Sequence, residues 1–537
     1  MYLLNETQVF LFSSALNNPD RFFQGYCFSG VDYVYGDGGA EKLYRDTGRK
    51  IEAGEDGCYV KVERQDRRYF FATDFSGNKK LFYFSDRGFW AVSNSIVALV
   101  EHMRKVGRDI VPNFSQISAI GRGAGSAMNQ LASYSTMVQG IFLVPLKCGL
   151  LIGPDGVSIV PLRNEDLLEG KGSFSYAGRL SHFLALWVAR FQTILSDESI
   201  CINSDLTGGL DSRVVFSILH AARLKSNAPV ANVRISCGVV LGNTSDLEVA
   251  TAIGKQFGVV INGPRMKNPY RLSGEASYHS WRELCLGVYH PIYFPGAGPS
   301  SKRISFGGGG GENYRPFYKD DSIEAFVKKR VSRIHPEWLQ PQFEAEMKWG
   351  LDRMEEVDDS ISDPLIRHYR HFRNRIHAGR APQYAVSFSP LGSRLLESAS
   401  RLAPEGGLVT GQISYDVIHS IMPELLDVPF DDPSKSPSCE VLSRLTKVVM
   451  PEAVPAGRLF VDDAETVSQP RADGGCQLSF LQDEFRARSK SRLNQSFWGA
   501  KFLKNSEAVL DEAVERRRFR HAVDGQPISA VLATGLF

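Results

Sequence analysis

No apolar run in the chain approaches the roughly 18 residues that a membrane-crossing helix needs. The opening stretch MYLLNETQVFLFSS also lacks the basic start and small-residue cleavage site of a secretory leader. A soluble, cytoplasmic protein is expected, with no membrane partner. The eight cysteines, at 27, 58, 148, 201, 237, 285, 439 and 476, show no CxxC or Cys/His spacing. They read as separate thiols of a reducing compartment, which argues against a zinc cluster or a disulfide framework. Charge of one sign is missing too: the formal net charge is +2 over 537 residues. No global field draws nucleic acid or an anionic surface, so any charged site must be local. No low-complexity tract interrupts a composition that is 43% hydrophobic and 23% charged, which is ordinary for globular proteins. The length suffices for roughly two to four domains.

What is present changes character along the chain. From Gly57 to about Leu99, the runs GCYVKVERQ, RRYFFATD, KKLFYFSD and GFWAVSN are short, aromatic and β-branched, and polar turns separate them. They predict an antiparallel β region. A helix (SNSIVALVEHMRKV), a loop (GRGAGS, 121–126) and a further strand pair turning at GPDG follow. After about residue 165 the pattern becomes helix, strand (SICINS), glycine turn, helix (SRVVFSILHAARL), strand (VANVRISCGVV), helix (SDLEVATAIGKQFGV). Alternation of this kind predicts a parallel sheet with helices on its faces. Residues 320–465 read as mostly helical, and a helical tail ends in ERRRFRH. The basic residues of that tail read as the solvated face of an amphipathic helix.

The glycine turn is the most informative stretch. A strand that ends in glycines and restarts as a helix aims backbone N–H groups and the positive helix end at one point, a setting for phosphate. In TGGLDS, Gly208 and Gly209 allow close backbone approach, while Thr207 and Ser212 offer hydroxyls. Asp211 is the expected ligand of a magnesium ion carried by a nucleotide. The Walker pattern GxxxxGK[ST] is absent and no lysine follows the glycines.

TGGLDS resembles the SGGxDS pyrophosphate loop of the asparagine synthetase family and related ATP pyrophosphatases. Further stretches are similar to that family in its own order. VRISCG (233–238, with Ser236 and Gly238) resembles its second strand near the adenine, and SDLEVATAIGKQFGV resembles the acidic helix after it. ISFGGGGGENYR (304–315) stands where the family has its GEGxDE loop, and SPLGSRLLESASRLAP (389–404) is similar to a later helix. ATDFSGNKKLFYF, WAVSNSIVAL and TMVQGIFLVPLKCGLLI are similar to its N-terminal half, so the resemblance spans residues 57 to about 465.

The resemblance implies an α/β protein in three parts. Residues 1–165 would form a degenerate glutaminase-like α+β sandwich of the N-terminal-nucleophile (Ntn) type. Residues 175–465 would form a parallel-sheet ATP-pyrophosphatase synthetase domain, and 466–537 a helical extension. It implies an ATP-dependent, AMP-forming ligase that activates a carboxylate as an acyl-adenylate for attack by an amine or ammonia. ATP and Mg2+ are the expected cofactors. The expected partners are a carboxylate (small molecule, sugar acid or peptide), the nitrogen nucleophile and a second copy of the chain in a homodimer. Asparagine synthesis from aspartate and ammonia, and a nucleotide-binding pseudoenzyme or partner subunit, stay open as alternatives.

Two departures narrow the reading. Glutaminase chemistry needs a cysteine at the mature N-terminus, but position 2 is Tyr2 and the first cysteine, Cys27, has no free amine beside it. Glutamine hydrolysis is therefore not expected, as in the glutaminase-inactive lasso-peptide cyclases and β-lactam synthetases of the family. In the second loop, glycines replace the first Glu and the Asp of GEGxDE, which leaves Gly307 and Gly309 for the nucleotide and Glu312 as the remaining acid. Asp211 and Glu312 are the expected metal ligands. Arg458, or Lys447, is the expected adenylate-contacting cation. His368, His371 and His377 flank arginines on a helix that could approach the carboxylate substrate.

Overall fold

The computed structural model describes residues 8–122, 125–162, 175–226, 232–238, 244–264, 271–450, 454–462 and 476–537. Its first half is built from the runs of aromatic and β-branched residues, which pair because an extended chain puts alternate side chains on opposite faces. In chain order the strands are β1 (Leu11–Ser13), β2 (Arg21–Ser29), β3 (Asp32–Tyr35), β4 (Asp56–Gln65), β5 (Arg68–Thr73), β6 (Phe82–Asp86), β7 (Phe89–Ser93), β8 (Phe142–Leu143), β9 (Cys148–Gly153) and β10 (Gly156–Pro161). One sheet has the order β1-β7-β6-β8, and a larger one runs β10-β9-β5-β4-β2-β3. Phe12, Val60, Phe71, Trp90, Val92 and Leu150, drawn from both sheets, share one buried cluster. The GPDG signal is the β9/β10 hairpin, with Gly153 opposite Gly156. Residues 123 and 124 of the GRGAGS loop, and Tyr2, lie outside the described residues.

The second half supplies β11 (Cys201–Asp205), β12 (Val233–Ser236), β13 (Arg303–Phe306) and β14 (Val386–Phe388). They form a parallel sheet in the order β12-β11-β13-β14. The chain is thus mixed α/β with several sheets, one of them parallel. Helix Tyr176–Leu195 lies between the halves. Its Phe191 packs on Phe306 of β13 at 4.3 Å between ring centres. Its buried Arg190 donates to Asp56 of β4 at 2.6 Å. Tyr26 of β2 extends this seam, since its hydroxyl donates toward the Ser387 carbonyl (2.9 Å) and accepts from the Ser387 N–H (2.8 Å).

Two features differ from the sequence reading. A short strand, β15 (Leu459–Val461), pairs in parallel with β3, so the end of the stretch assigned to the second domain completes the sheet of the first as its seventh strand. The C-terminal helices Gln477–Ser489, Arg492–Glu515 and Gln526–Thr534 are helical as expected. They are built into the core: Phe485, Leu510, Ile528 and Leu532 share a buried cluster with Ile96 and Met137. In the basic tail, Arg516 and Arg520 both pair with Glu512, as a solvated face would. Among the described residues no helix is long and apolar enough to cross a membrane.

Candidate functional site

The parallel sheet sets the location. From β11 the chain moves to β12 on one side, then crosses back to β13 on the other, which makes the β11–β13 gap a topological switch point. Crevices at such points, outside the carboxyl ends of the strands, are where open α/β sheets take ligands. Here the turn after β11 (206–209) and the glycine loop after β13 (307–311) meet. Between them and the N-terminal half lies a cavity of about 480 Å³ whose lining includes Asp205, Asp211, Gly307, Gly309 and Glu312. Asp56, Gly57, Ser76 and Asn78 contribute lining from the first half.

The turn is held by its own hydroxyls and by a borrowed acid. Thr207 N–H donates to Ser212 Oγ at 3.0 Å, and the two hydroxyls lie 3.1 Å apart. Gly209 N–H donates to Thr207 Oγ1 at 3.3 Å. Gly208 N–H donates to Asp246 Oδ1 at 2.7 Å, so a carboxylate from helix Ser245–Gln256 occupies an anion position of the loop. Glycine is required at 208 because an added Cβ would stand 2.3 Å from Asp431 Cβ. Behind the turn, the fully buried Arg213 donates to the carbonyls of Leu425 (2.8 Å), Val428 (2.7 Å) and Pro429 (2.6 Å), and lies over the Phe430 ring at 3.7 Å.

Asp211 and Glu312 do come together, and a guanidinium joins them. Arg315 donates to both oxygens of Asp211, at 2.7 Å each, and to Glu312 Oε1 at 3.0 Å. Tyr369 donates its hydroxyl to Glu312 Oε2 at 3.0 Å. Burial raises the Asp211 pKa above the usual carboxylate range, and hydrogen bonding and charge from Arg315 oppose that rise. The glycines of the second loop make the arrangement sterically possible. A Cβ at Gly308 would lie 2.9 Å from Asp211 Cβ, and one at Gly311 would lie 2.0 Å from Asp211 Oδ1.

The expected magnesium ion is one carried by a nucleotide. The two carboxylates assigned to the metal are both taken by Arg315, and among the described residues no group of three or more His, Cys, Asp or Glu could hold a metal ion.

The other expected residues are distributed as follows. Ser236 donates to Asp205 Oδ1 at 3.0 Å, so it touches the cavity only through that acid. Gly238 follows β12 with open space around it. Arg458 is not brought to the cavity: its N–H donates to Asp32 Oδ1 at 2.6 Å, its carbonyl accepts from Tyr33, and its guanidinium lies over Phe460. The β3 edge has captured this backbone. Lys447 is exposed. Of the histidines, His377 lines the cavity, whereas His371 is buried against Asp358 (3.0 Å) and His368 against the Ala132 carbonyl (3.0 Å). Cys27 is fully buried, and burial raises its thiol pKa well above its usual value.

Sequence reading missed Arg315, Tyr369, Asp205 and Asp246 as members of the site. Only the Glu312 to Arg315 spacing, one helical turn, carried a local signal for any of them. No protein-family model matches the chain, and no curated protein matches it.

Proposed function

We propose that the protein is an ATP-dependent, AMP-forming ligase that joins a carboxylate to an amine or ammonia without hydrolysing glutamine. In this reading a carboxylate oxygen attacks the α-phosphorus of ATP, pyrophosphate leaves, and the nitrogen nucleophile then displaces AMP from the acyl carbon. A carboxylate is inert toward amines near neutral pH until its oxygen becomes a good leaving group, and that is what adenylation supplies. The observation that carries the proposal is the meeting of the TGGLDS turn and the glycine loop at the switch point of a parallel sheet, over one cavity. The N–H groups of Gly208 and Gly209 and the start of helix Leu210–Ser226 would receive the pyrophosphate once Asp246 gives way. Arg315, already inside the site, would supply positive charge beside it. The first half would then be a glutaminase-like Ntn scaffold and the second an ATP-pyrophosphatase domain, in a cytoplasmic protein.

A second reading, a nucleotide-binding protein without chemistry, is favoured by one observation: the two acids of the site are already engaged by Arg315. ATP–pyrophosphate isotope exchange separates the two. Exchange that requires a carboxylate from a pool of amino acids, peptides and sugar acids, and that Asp211→Ala abolishes, supports the ligase. ATP binding with no exchange from any pool supports the second reading.

A further inference from the structure

A second cavity, of about 370 Å³, opens between the segment 135–142 of the first half and helix Gln340–Val357. It shares no lining residue with the cavity at the switch point. Its apolar wall carries Val138, Ile141, Phe142, Ala345 and Trp349. Val138 and Ile141 are buried, whereas Trp349 is left 41% exposed. The Trp349 ring centre lies 5.5 Å from that of Phe142 with the planes 57° apart, so two aromatic faces meet at an angle. The buried Tyr134 meets the indole edge-on at 6.1 Å, which holds it in place.

One acid lines the same cavity. Glu346 stands three residues before Trp349, so both lie on one face of the helix. Its Oε1 accepts from Asn113 Nδ2 at 2.8 Å and Gln342 Nε2 at 3.1 Å. Its Oε2 accepts from Ser115 Oγ at 2.9 Å and Gln116 Nε2 at 2.6 Å. Such a set fills the lone pairs of a carboxylate, yet every donor in it is neutral. Ser115 and Gln116 belong to the first turn of helix Phe114–Arg122, whose N-terminal end supplies only about half a charge. The two bases of the acid's own helix are engaged elsewhere, Lys348 with Glu344 at 2.7 Å and Arg353 with Glu356. Among the described residues no Lys, Arg or His pairs with Glu346. Its hydrogen bonding is complete and its charge is not balanced.

These features together select a ligand. Aromatic faces attract a cation, the more so where water is partly excluded. A primary ammonium would have to displace one of the four donors before it could bond to Glu346. A quaternary ammonium donates no hydrogen bond, so it loses nothing by meeting an acid whose lone pairs are taken. Its methyl groups would also cover Val138 and Ile141.

We infer that this cavity binds the quaternary ammonium group of a small molecule, with Trp349 and Phe142 as its aromatic walls and Glu346 as its counter-charge. The ligase reading is not needed for this assignment.

The test is calorimetric titration of the full chain with tetramethylammonium chloride and, separately, with butylammonium chloride, an isomeric cation that keeps its N–H donors. Sodium chloride at the same ionic strength sets the baseline. Phosphatidylcholine vesicles form another arm, because a lipid headgroup carries the same cation. Tetramethylammonium is expected to bind saturably and more tightly than butylammonium. Trp349→Leu should weaken it by about fivefold or more and Trp349→Phe by less. Glu346→Gln should weaken it too, most clearly at low salt, and the exposed Trp338→Leu should change nothing. Thermal melts establish which variants are folded. Trp349→Leu, made at a part-exposed ring, carries the test if the hydrogen bonds around Glu346→Gln fail. The inference is overturned if neither cation binds, if butylammonium binds as tightly as its isomer, if a folded Trp349→Leu or Glu346→Gln variant binds as wild type does, or if only the vesicles bind.

Discussion

Glycine at position 311 decides where the Asp211 carboxylate lies, since any Cβ there would fall 2.0 Å from Asp211 Oδ1. The carboxylate fills that space and so reaches Arg315. Two predictions belong at this scale. Manganese titration followed by electron paramagnetic resonance should find no stoichiometric site in the nucleotide-free wild type. Arg315→Met should expose Asp211 and Glu312 and create a weak site that a further Asp211→Asn removes; equal binding by wild type and Arg315→Met would refute the blocking role. The second concerns His290, which is buried and bonded through Nδ1 to the Met128 carbonyl at 2.8 Å. Burial lowers its pKa to about 4. The unfolded chain then binds the extra proton first, so stability is retained above about pH 6.5 and falls as pH drops toward 4. This one group is worth about 3 kcal/mol by pH 4. Urea unfolding at stepped pH should show a shallower acid loss in a folded His290→Gln variant, and an unchanged slope would sink the assignment.

At the scale of elements, Arg213 joins helix Leu210–Ser226 to the loop at 425–431, and that loop backs the glycine turn. Arg213→Met leaves those carbonyls buried without a donor and should cost on the order of 3 kcal/mol or more. Urea unfolding measures the loss, and limited proteolysis should cut the 425–431 loop before the rest of the chain. Wild-type stability and cleavage would show that the carbonyls find other partners. What the sequence disclosed follows from the range of each interaction. The strand, glycine turn and helix around residue 207 were legible because their signals are local, and so were the β9/β10 hairpin and the parallel sheet. Asp246 and Arg315 were not, because each meets the turn only after separate elements fold together, at 38 and 104 residues' separation. Arg458 was misplaced because a three-residue strand has no period to read, and the pull of the β3 edge on Leu459–Val461 is a tertiary effect.

For the whole molecule, the C-terminal helices act as core. Leu510 and Leu532 are fully buried, and Trp498 donates its indole N–H to Thr534 at 2.9 Å. A chain ending at residue 475 would bare the apolar surface around Ile96 and Met137. It should be insoluble, or should bind a hydrophobic dye strongly and lose cooperative melting. A soluble, cooperatively melting product would show that the first 475 residues close their own core. The seam from Tyr26 to Ser387 and from Asp56 to Arg190 has the same character, because it fixes the cavity wall supplied by one half against the wall supplied by the other.

The pairing of Gly208 with Asp246 and of Asp211 with Arg315 has a kinetic meaning. The loop already holds an acid at the Gly208 N–H, and the acid beside it already holds a base. Whatever binds must trade places with these internal tenants. Entry of a ligand at the turn would then be a substitution reaction with a barrier of its own, and selection there would act by rate as well as by fit.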